Sequence, residues 1–149
     1  MAQRTESSIR IEAASPQILQ VIADLESYPQ WSEGITSVEI LDSENGRPIR
    51  ARFVLDAGII KDTYELAYTW NDTSSVSWTL VSATVLSMMD GSYHLNAAAN
   101  GDTEVSYALT VDIKMPMLGM LKRKAEQTIV ETALKGLKVR VESHGATSR

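Results

Sequence analysis

The side chains of this sequence that could do acid–base or metal chemistry are few and scattered. It contains two histidines and no cysteine. Without cysteine there is no thiolate nucleophile, no thiolate metal site and no disulfide. His94 falls within a strand-like stretch on the face opposite Tyr93 and Leu95, where a lone histidine is more often structural or exposed than catalytic. His144 lies in a polar tail, and no H-x-x-H or H-x-x-x-H pair marks a metal site. Asp90 and Asp112 are single carboxylates without an identifiable partner. Asp62 shares parity with Tyr64 and Tyr68. An inward carboxylate would need hydrogen-bond donors or a raised pKa, so its place at a strand end points to solvent. P-loop, dinucleotide-fingerprint and G-x-S-x-G patterns are all missing from the sequence. What recurs instead is aromatic: Phe53, Tyr64, Tyr68, Trp78, Tyr93 and Tyr107 all sit in strand-like segments. Rings with a few polar tips suit an apolar pocket that orients a small molecule.

The elements that must carry these rings follow from periodicity. Ser15 and Pro16 read as the N-cap and first position of a helix, with Ile18, Val21, Ile22 and Leu25 on its apolar face. Pro29 disfavours helical geometry at Tyr28, which predicts a stop near Ser27 and an aromatic corner of Tyr28, Pro29 and Trp31. This corner reads first as a packing plug under the helix, with a ring on a cavity wall as the second reading. Period-2 alternation then predicts strands before the helix and throughout the middle of the chain, seven in all, with turns at Asn45-Gly46, Gly58, 71–75 and 100–102. A closing helix is predicted from about Pro116 to about Ser143. Leu118, Leu121, Ala125, Ile129, Thr132 and Gly136 form one stripe, and Val130, Leu134, Leu137 and Val141 a second, roughly a third of a turn away. So wide an apolar arc suits a helix held in the concavity of a bent sheet. Small residues on the first stripe leave two readings open, close backbone packing or space for a ligand.

The chain of 149 residues is read as one domain, 1–144, followed by a flexible tail at 145–149. At this length a fold buries roughly 68–70% of its unfolded surface. No apolar run reaches the ~20 residues a membrane span needs, and the N-terminal stretch lacks an apolar signal core. The expectation is a soluble, cytoplasmic protein. A net charge of −5 argues against nucleic acid as a partner.

Four stretches together resemble the START-like (SRPBCC) superfamily, in its polyketide cyclase/dehydrase and coenzyme Q-binding branches. They are Ser15-Pro16, V-I-A-D-L-E-S-Y-P-Q-W at 21–31, D-G-S-Y at 90–93 and L-K-R-K-A-E-Q-T-I-V-E-T-A-L-K-G-L-K at 121–138. The resemblance implies an α+β helix-grip fold: a seven-stranded curved antiparallel sheet around a long C-terminal helix, with a short N-terminal helical pair. It implies a hydrophobic cavity between sheet and helix for a lipid, quinone or polyketide-like molecule. Because no matching catalytic set is found in the sequence, binding or carrying is the first expectation. The alternative is a polyketide aromatase/cyclase-dehydratase, with tyrosine hydroxyls or an inward Arg52 moving protons. The expected ligand-binding residues are Trp31, Phe53, Tyr64, Tyr68, Trp78, Tyr93, Tyr107, Met117, Leu121, Ala125 and Ile129, with no metal and no cofactor. Lys122, Arg123 and Lys124 follow Met115, Met117 and Met120 near the start of the closing helix, where cations oppose the macrodipole. They are expected to touch anionic membranes transiently, the competing reading being an ordinary solvated charge run.

Overall fold

The computed structural model describes residues 4–32, 34–56, 58, 61–71, 74–114 and 119–147, the side chains of 119–122, 125 and 144–147 excepted. Strand β1 (Arg4–Ile11) leads to helix α1 (Ser15–Ala23), a 3₁₀ turn (Leu25–Ser27) and the one-turn helix α2 (Tyr28–Trp31). Six strands follow: β2 (Ile35–Glu44), β3 (Arg47–Asp56), β4 (Lys61–Asn71), β5 (Ser75–Ala83), β6 (Leu86–Ala97) and β7 (Thr103–Ile113). Helix α3 (Gly119–Thr147) closes the chain. All neighbours in the sheet are antiparallel, in the order β1-β7-β6-β5-β4-β3-β2. The Asn45-Gly46 turn has both residues at positive φ, 53° and 78°, the geometry a two-residue hairpin requires.

Helix α3 lies across the concave face and buries Val130, Ala133, Leu134, Leu137 and Val141. All but Ala133 belong to the second of the two sequence stripes; Ile129, Thr132 and Gly136 of the first are half-buried. On α1 the buried residues are Ile18, Leu19 and Ile22, so Leu19 takes the inward place expected of Val21. A Cβ built on Gly136 would stand 2.4 Å from the Trp31 carbonyl oxygen. Glycine at this position lets α2 and α3 meet backbone to backbone. Polar fastenings hold α3 at two heights. Lys138 Nζ donates to the Arg10 carbonyl at 2.9 Å, and the Glu12 N–H donates to Glu142 at 3.0 Å. Nearer the other end, buried Glu126 accepts from the Val111 N–H at 2.9 Å, one residue beyond the last β1–β7 pair.

Three local expectations are corrected. The N-cap of α1 is Ala14; the Ser15 hydroxyl lies 3.2 Å from that of Thr103, which donates to the Ala13 carbonyl. Pro29 does not stop a helix but sits in the first turn of α2, where its missing N–H costs nothing, and Tyr28 is helical at φ −53°, ψ −40°. Asp62 is buried, at 7% exposure, rather than solvated. Its carboxylate accepts the N–H groups of Thr63 (2.8 Å), Thr84 (3.1 Å), Val85 (3.0 Å) and Leu86 (2.8 Å), tying the tip of the β5–β6 hairpin to β4. That tip needs the tie because β5 and β6 pair only from Ser75↔His94 to Trp78↔Gly91.

Candidate functional site

The inward residues of five adjacent strands meet across the sheet as direct neighbours. Phe53 opposes Tyr64, Tyr68 opposes Trp78, and Tyr93 opposes Tyr107. The ring centroids of these pairs lie 5.5, 5.6 and 4.7 Å apart, distances at which aromatic pairs add to burial. The residue opposite Trp78 on the other side is Gly91. A Cβ there would fall 2.4 Å from the indole, so only glycine lets the ring lie across β6. The ring contacts continue through Tyr28 to Trp31 and from Tyr68 to Trp70. All nine aromatic residues of the chain therefore belong to one connected cluster.

Between this cluster and α3 lies a cavity of about 70 Å³. Rings form its floor; Leu55, Leu66, Met89, Ile129 and Ala133 complete its apolar wall, and Ser32 and Ile35 border it beside α2. Its described lining carries no charged side chain. The polar side-chain groups are the Ser32 hydroxyl, the Trp78 indole N–H and the phenols of Tyr28, Tyr64, Tyr68, Tyr93 and Tyr107. The Tyr28 hydroxyl donates to the Ile22 carbonyl at the end of α1. Among the described residues, the hydroxyls of the other four have no hydrogen-bond partner in the protein. They are not sealed off either: the fully enclosed polar side-chain atoms without a partner are Trp31 Nε1 and one Arg47 guanidinium nitrogen.

Burial, the largest cause in each case, pushes all five phenols well above their ordinary pKa of 10. The neighbouring phenols add to the effect. Tyr107 contributes to the upward shift of each of the other four. At neutral pH the described lining therefore offers neutral O–H groups and no general base with a pKa near 7, the value at which proton abstraction is most effective.

The structure gathers Phe53, Tyr64, Tyr68, Trp78, Tyr93, Tyr107 and Ile129 around this one cavity. Trp31 lies elsewhere. It stacks edge-on against Tyr28 at 4.8 Å and lines an outer cleft with Gln20, Val21, Asp24, Ser27 and Arg140. Met117 and the side chains of Leu121 and Ala125 lie outside the described residues. Arg52 is corrected from inward to outward. It binds Glu39 and Glu65 on the exposed face, and its hydrogen bond holds the Glu65 carboxyl below the usual range. His94 is exposed on that outer face. The sequence reading left out Leu55, Leu66 and Met89, although each shares strand parity with a ring it did select. Tyr28 was placed under the helix, and Ala133 had no distinguishing signal.

A seven-stranded antiparallel sheet gripping a long C-terminal helix, with short helices before it and an apolar cavity between, is the helix-grip fold of START-like proteins. The chain belongs to the polyketide cyclase/dehydrase and lipid transport family, which it matches over residues 11–138. Solved structures agree at the level of fold. A START superfamily protein from Mycobacterium smegmatis superposes with a TM-score of 0.86 at 22% identity, over 94% of this chain and 97% of the other. A protein from Thermus thermophilus gives 0.84 at 23%, over 95% and 99%. The ZhuI aromatase/cyclase from a Streptomyces species gives 0.80 at 15%, over 95% and 94%. Comparison with curated protein sequences finds no significant match. Among the described residues, no helix is long and apolar enough to cross a membrane, and no group of acidic and histidine side chains is placed to hold a metal.

Proposed function

We propose that this protein binds or carries a hydrophobic or amphipathic small molecule in the cavity between sheet and α3. The observation that carries the reading is the lining itself: ring faces and aliphatic side chains with a few neutral hydroxyls, the composition of a pocket that holds and orients an apolar ligand. A cyclase that abstracts a proton needs a base poised near neutral pH. The phenols here are all shifted away from that range, which favours carriage over the aromatase/cyclase alternative. The cavity of about 70 Å³ is smaller than the roughly 300–1,000 Å³ of sites for drug-sized ligands. Binding such a molecule therefore includes outward movement of the wall, with rings turning or α3 lifting. Native mass spectrometry of freshly purified protein, with extraction and identification of what it holds, tests the reading. Ala133→Leu, which projects new side-chain volume into the cavity, should lose the bound molecule while remaining folded; retention by the folded variant would place the ligand elsewhere.

Contact with anionic membranes during delivery is a second, separable part of the proposal. Arg123 and Lys124 are exposed on the first turns of α3, as a surface-seeking cluster requires. The expected result is salt-sensitive co-sedimentation with anionic vesicles, lost when Lys122, Arg123 and Lys124 become glutamine. Indifference to vesicle charge would return the cluster to an ordinary solvated face.

A further inference from the structure

The sheet is not fastened equally along its width. β5 and β6 are matched over four residue pairs, from Ser75↔His94 to Trp78↔Gly91, whereas all other neighbours are matched over seven or more. Past Trp78 and Gly91 the two strands keep only their outer neighbours: β5 stays with β4 as far as Ala83, and β6 stays with β7 from Leu86. This seam divides the molecule into two halves. One is β2 to β5, with α2 joined to β2 by the Ile35 N–H donating to the Ser32 carbonyl. The other is β6, β7 and β1 with α3. From Glu126 to Glu142, the polar bonds that α3 makes beyond its own helix go to Thr5, Arg10, Glu12 and Val111, in or next to β1 and β7. Toward α2 the same stretch has the packing of Gly136 on the Trp31 carbonyl, and no hydrogen bond among the described residues. The cavity lies between the halves: Phe53, Tyr64 and Tyr68 face it from one, Met89, Tyr107 and Ala133 from the other. The outer cleft that Trp31 and Arg140 line follows the same division.

We infer that the protein opens as a hinge: the two halves flex about the β5–β6 seam, and the cavity gains its room and its mouth between α2 and α3. Helix α3 travels with β1, β6 and β7 instead of leaving the sheet alone. The inference rests on the carriage reading and specifies how a cavity of about 70 Å³ admits a larger guest. A hinge needs only a few residues to absorb the change, and the short ladder supplies them. The bonds that cross the seam lie along it. The Leu95 N–H donates to the Ser74 carbonyl at one end; at the other, the hairpin tip carries the Asp62 clasp and the bonds of Lys114 to the Ala83 and Val85 carbonyls. Bonds on the axis of a hinge resist parting and sliding but permit flexing. Trp78 lies on that axis, its indole over the bare backbone of Gly91, where no side chain catches the ring as the angle changes. Helix α1 spans both halves and limits the swing: Thr103 of β7 holds its start, and the Tyr28 hydroxyl of α2 holds the Ile22 carbonyl at its end.

The chain has no cysteine, so introduced cysteines take spin labels without competition. One labelled pair spans the mouth, Gln30→Cys on α2 with Val139→Cys on α3. The other lies within one half, Val139→Cys with Glu104→Cys on β7. All three positions are exposed. Double electron–electron resonance reads both distances under two perturbations. The first is saturation with N-phenyl-1-naphthylamine, a neutral apolar fluorophore whose own emission reports binding. The second is the wedge Gly136→Leu, which needs no ligand. In each case the mouth distance should lengthen by more than about 2 Å, the scale of a hinge rearrangement, while the distance within one half stays unchanged. Lengthening of both distances shows α3 leaving the sheet alone and overturns the hinge. Binding of the fluorophore with neither distance altered overturns it too, because ring movement then suffices. If the fluorophore does not bind, the carriage reading loses its support and the wedge decides the hinge by itself: a folded Gly136→Leu protein with an unchanged mouth distance overturns it. Should Gly136→Leu lose cooperative unfolding, Gly136→Ala supplies the smaller wedge.

Discussion

Replacing Gly136 with alanine sets two effects of known size against each other. In an exposed helix interior, Gly→Ala stabilises by about 1 kcal/mol, because glycine has more backbone freedom to lose. Here the added methyl would stand 2.4 Å from the Trp31 carbonyl oxygen and 3.3 Å from its ring carbon Cε3. The first distance falls about 1 Å short of a normal contact, near 3.5 Å. The obstacle is backbone held within α2, so a rotamer change cannot clear it; α2 and α3 must separate. Overpacking of this kind costs about 1–3 kcal/mol. The net expectation is a loss of roughly 0–2 kcal/mol, toward the upper end because relief has to come from the helices rather than from a side chain. Urea titration with an unchanged m-value would measure it. A second variant sharpens the test. Adding Trp31→Ala to Gly136→Ala removes the ring but leaves the carbonyl, so it should not restore stability. A Gly136→Ala protein more stable than wild type would show that α2 yields freely and that glycine is not what sets the α2–α3 approach.

Other expectations can be checked on the same scale. Asp62→Asn places an NH₂ group where two of four backbone N–H donors now find oxygen. It should cost about 2–6 kcal/mol in urea titration, at about 1–3 kcal/mol for each of the two groups left unpaired; a loss under about 1 kcal/mol would mean that the hairpin tip is held by something else. Gly91→Ala drives a methyl into the Trp78 indole, with about 1–3 kcal/mol lost and the weakened binding of any cavity ligand as its second signature in calorimetry. Trp31→Ala should cost less than the about 3–5 kcal/mol of a fully buried tryptophan, because Trp31 is half-buried; a full-size loss would contradict its position on the outer cleft. The Glu142 carboxyl is held below its ordinary 4.5 first by the hydrogen bond from Lys138 and then by the Glu12 N–H. Its contribution to stability is complete above the unfolded pKa and is lost as pH falls through the lower folded value. Glu142→Gln should therefore flatten part of the acid limb of a stability–pH curve, and an unaltered limb would remove this latch from the account.

How much of this was legible in the sequence differs from element to element. Strict alternation made the strands readable, and the ring-bearing faces of β3 through β7 followed from parity alone, since side chains on a strand have only two sides to choose from. Helix faces were harder. Val21 and Leu19 both fit an apolar arc on α1, and only the tertiary environment favours Leu19. Local rules failed where long-range partners decide. Asp62 read as solvated because its four donors come from Thr63 and from a hairpin tip more than twenty positions away, for which one residue's neighbours carry no signal. Pro29 read as a stop because the same residue that ends one helix can begin another. Arg52 was given an inward option although it alternates with Phe53; parity already placed it beside Glu39 and Glu65. That four phenols find no acceptor among the described residues could not be read at all, because whether a hydroxyl finds an acceptor depends on several strands at once.

The single ring cluster has an optical consequence. Every tryptophan and tyrosine of this chain lies within it, so absorbance, intrinsic fluorescence and near-ultraviolet dichroism all originate at the cavity and its margin. Agreement among them is one observation made three times, whereas a test for all-or-none unfolding requires independent probes. The C-terminal half of α3 carries no chromophore of its own. If it detached while the rings stayed stacked, the protein would look native to all three. Far-ultraviolet dichroism, which sees the helix, is therefore the necessary companion measurement: coincidence of its transition with the fluorescence transition would show that the helix and the chamber it covers come apart as one unit.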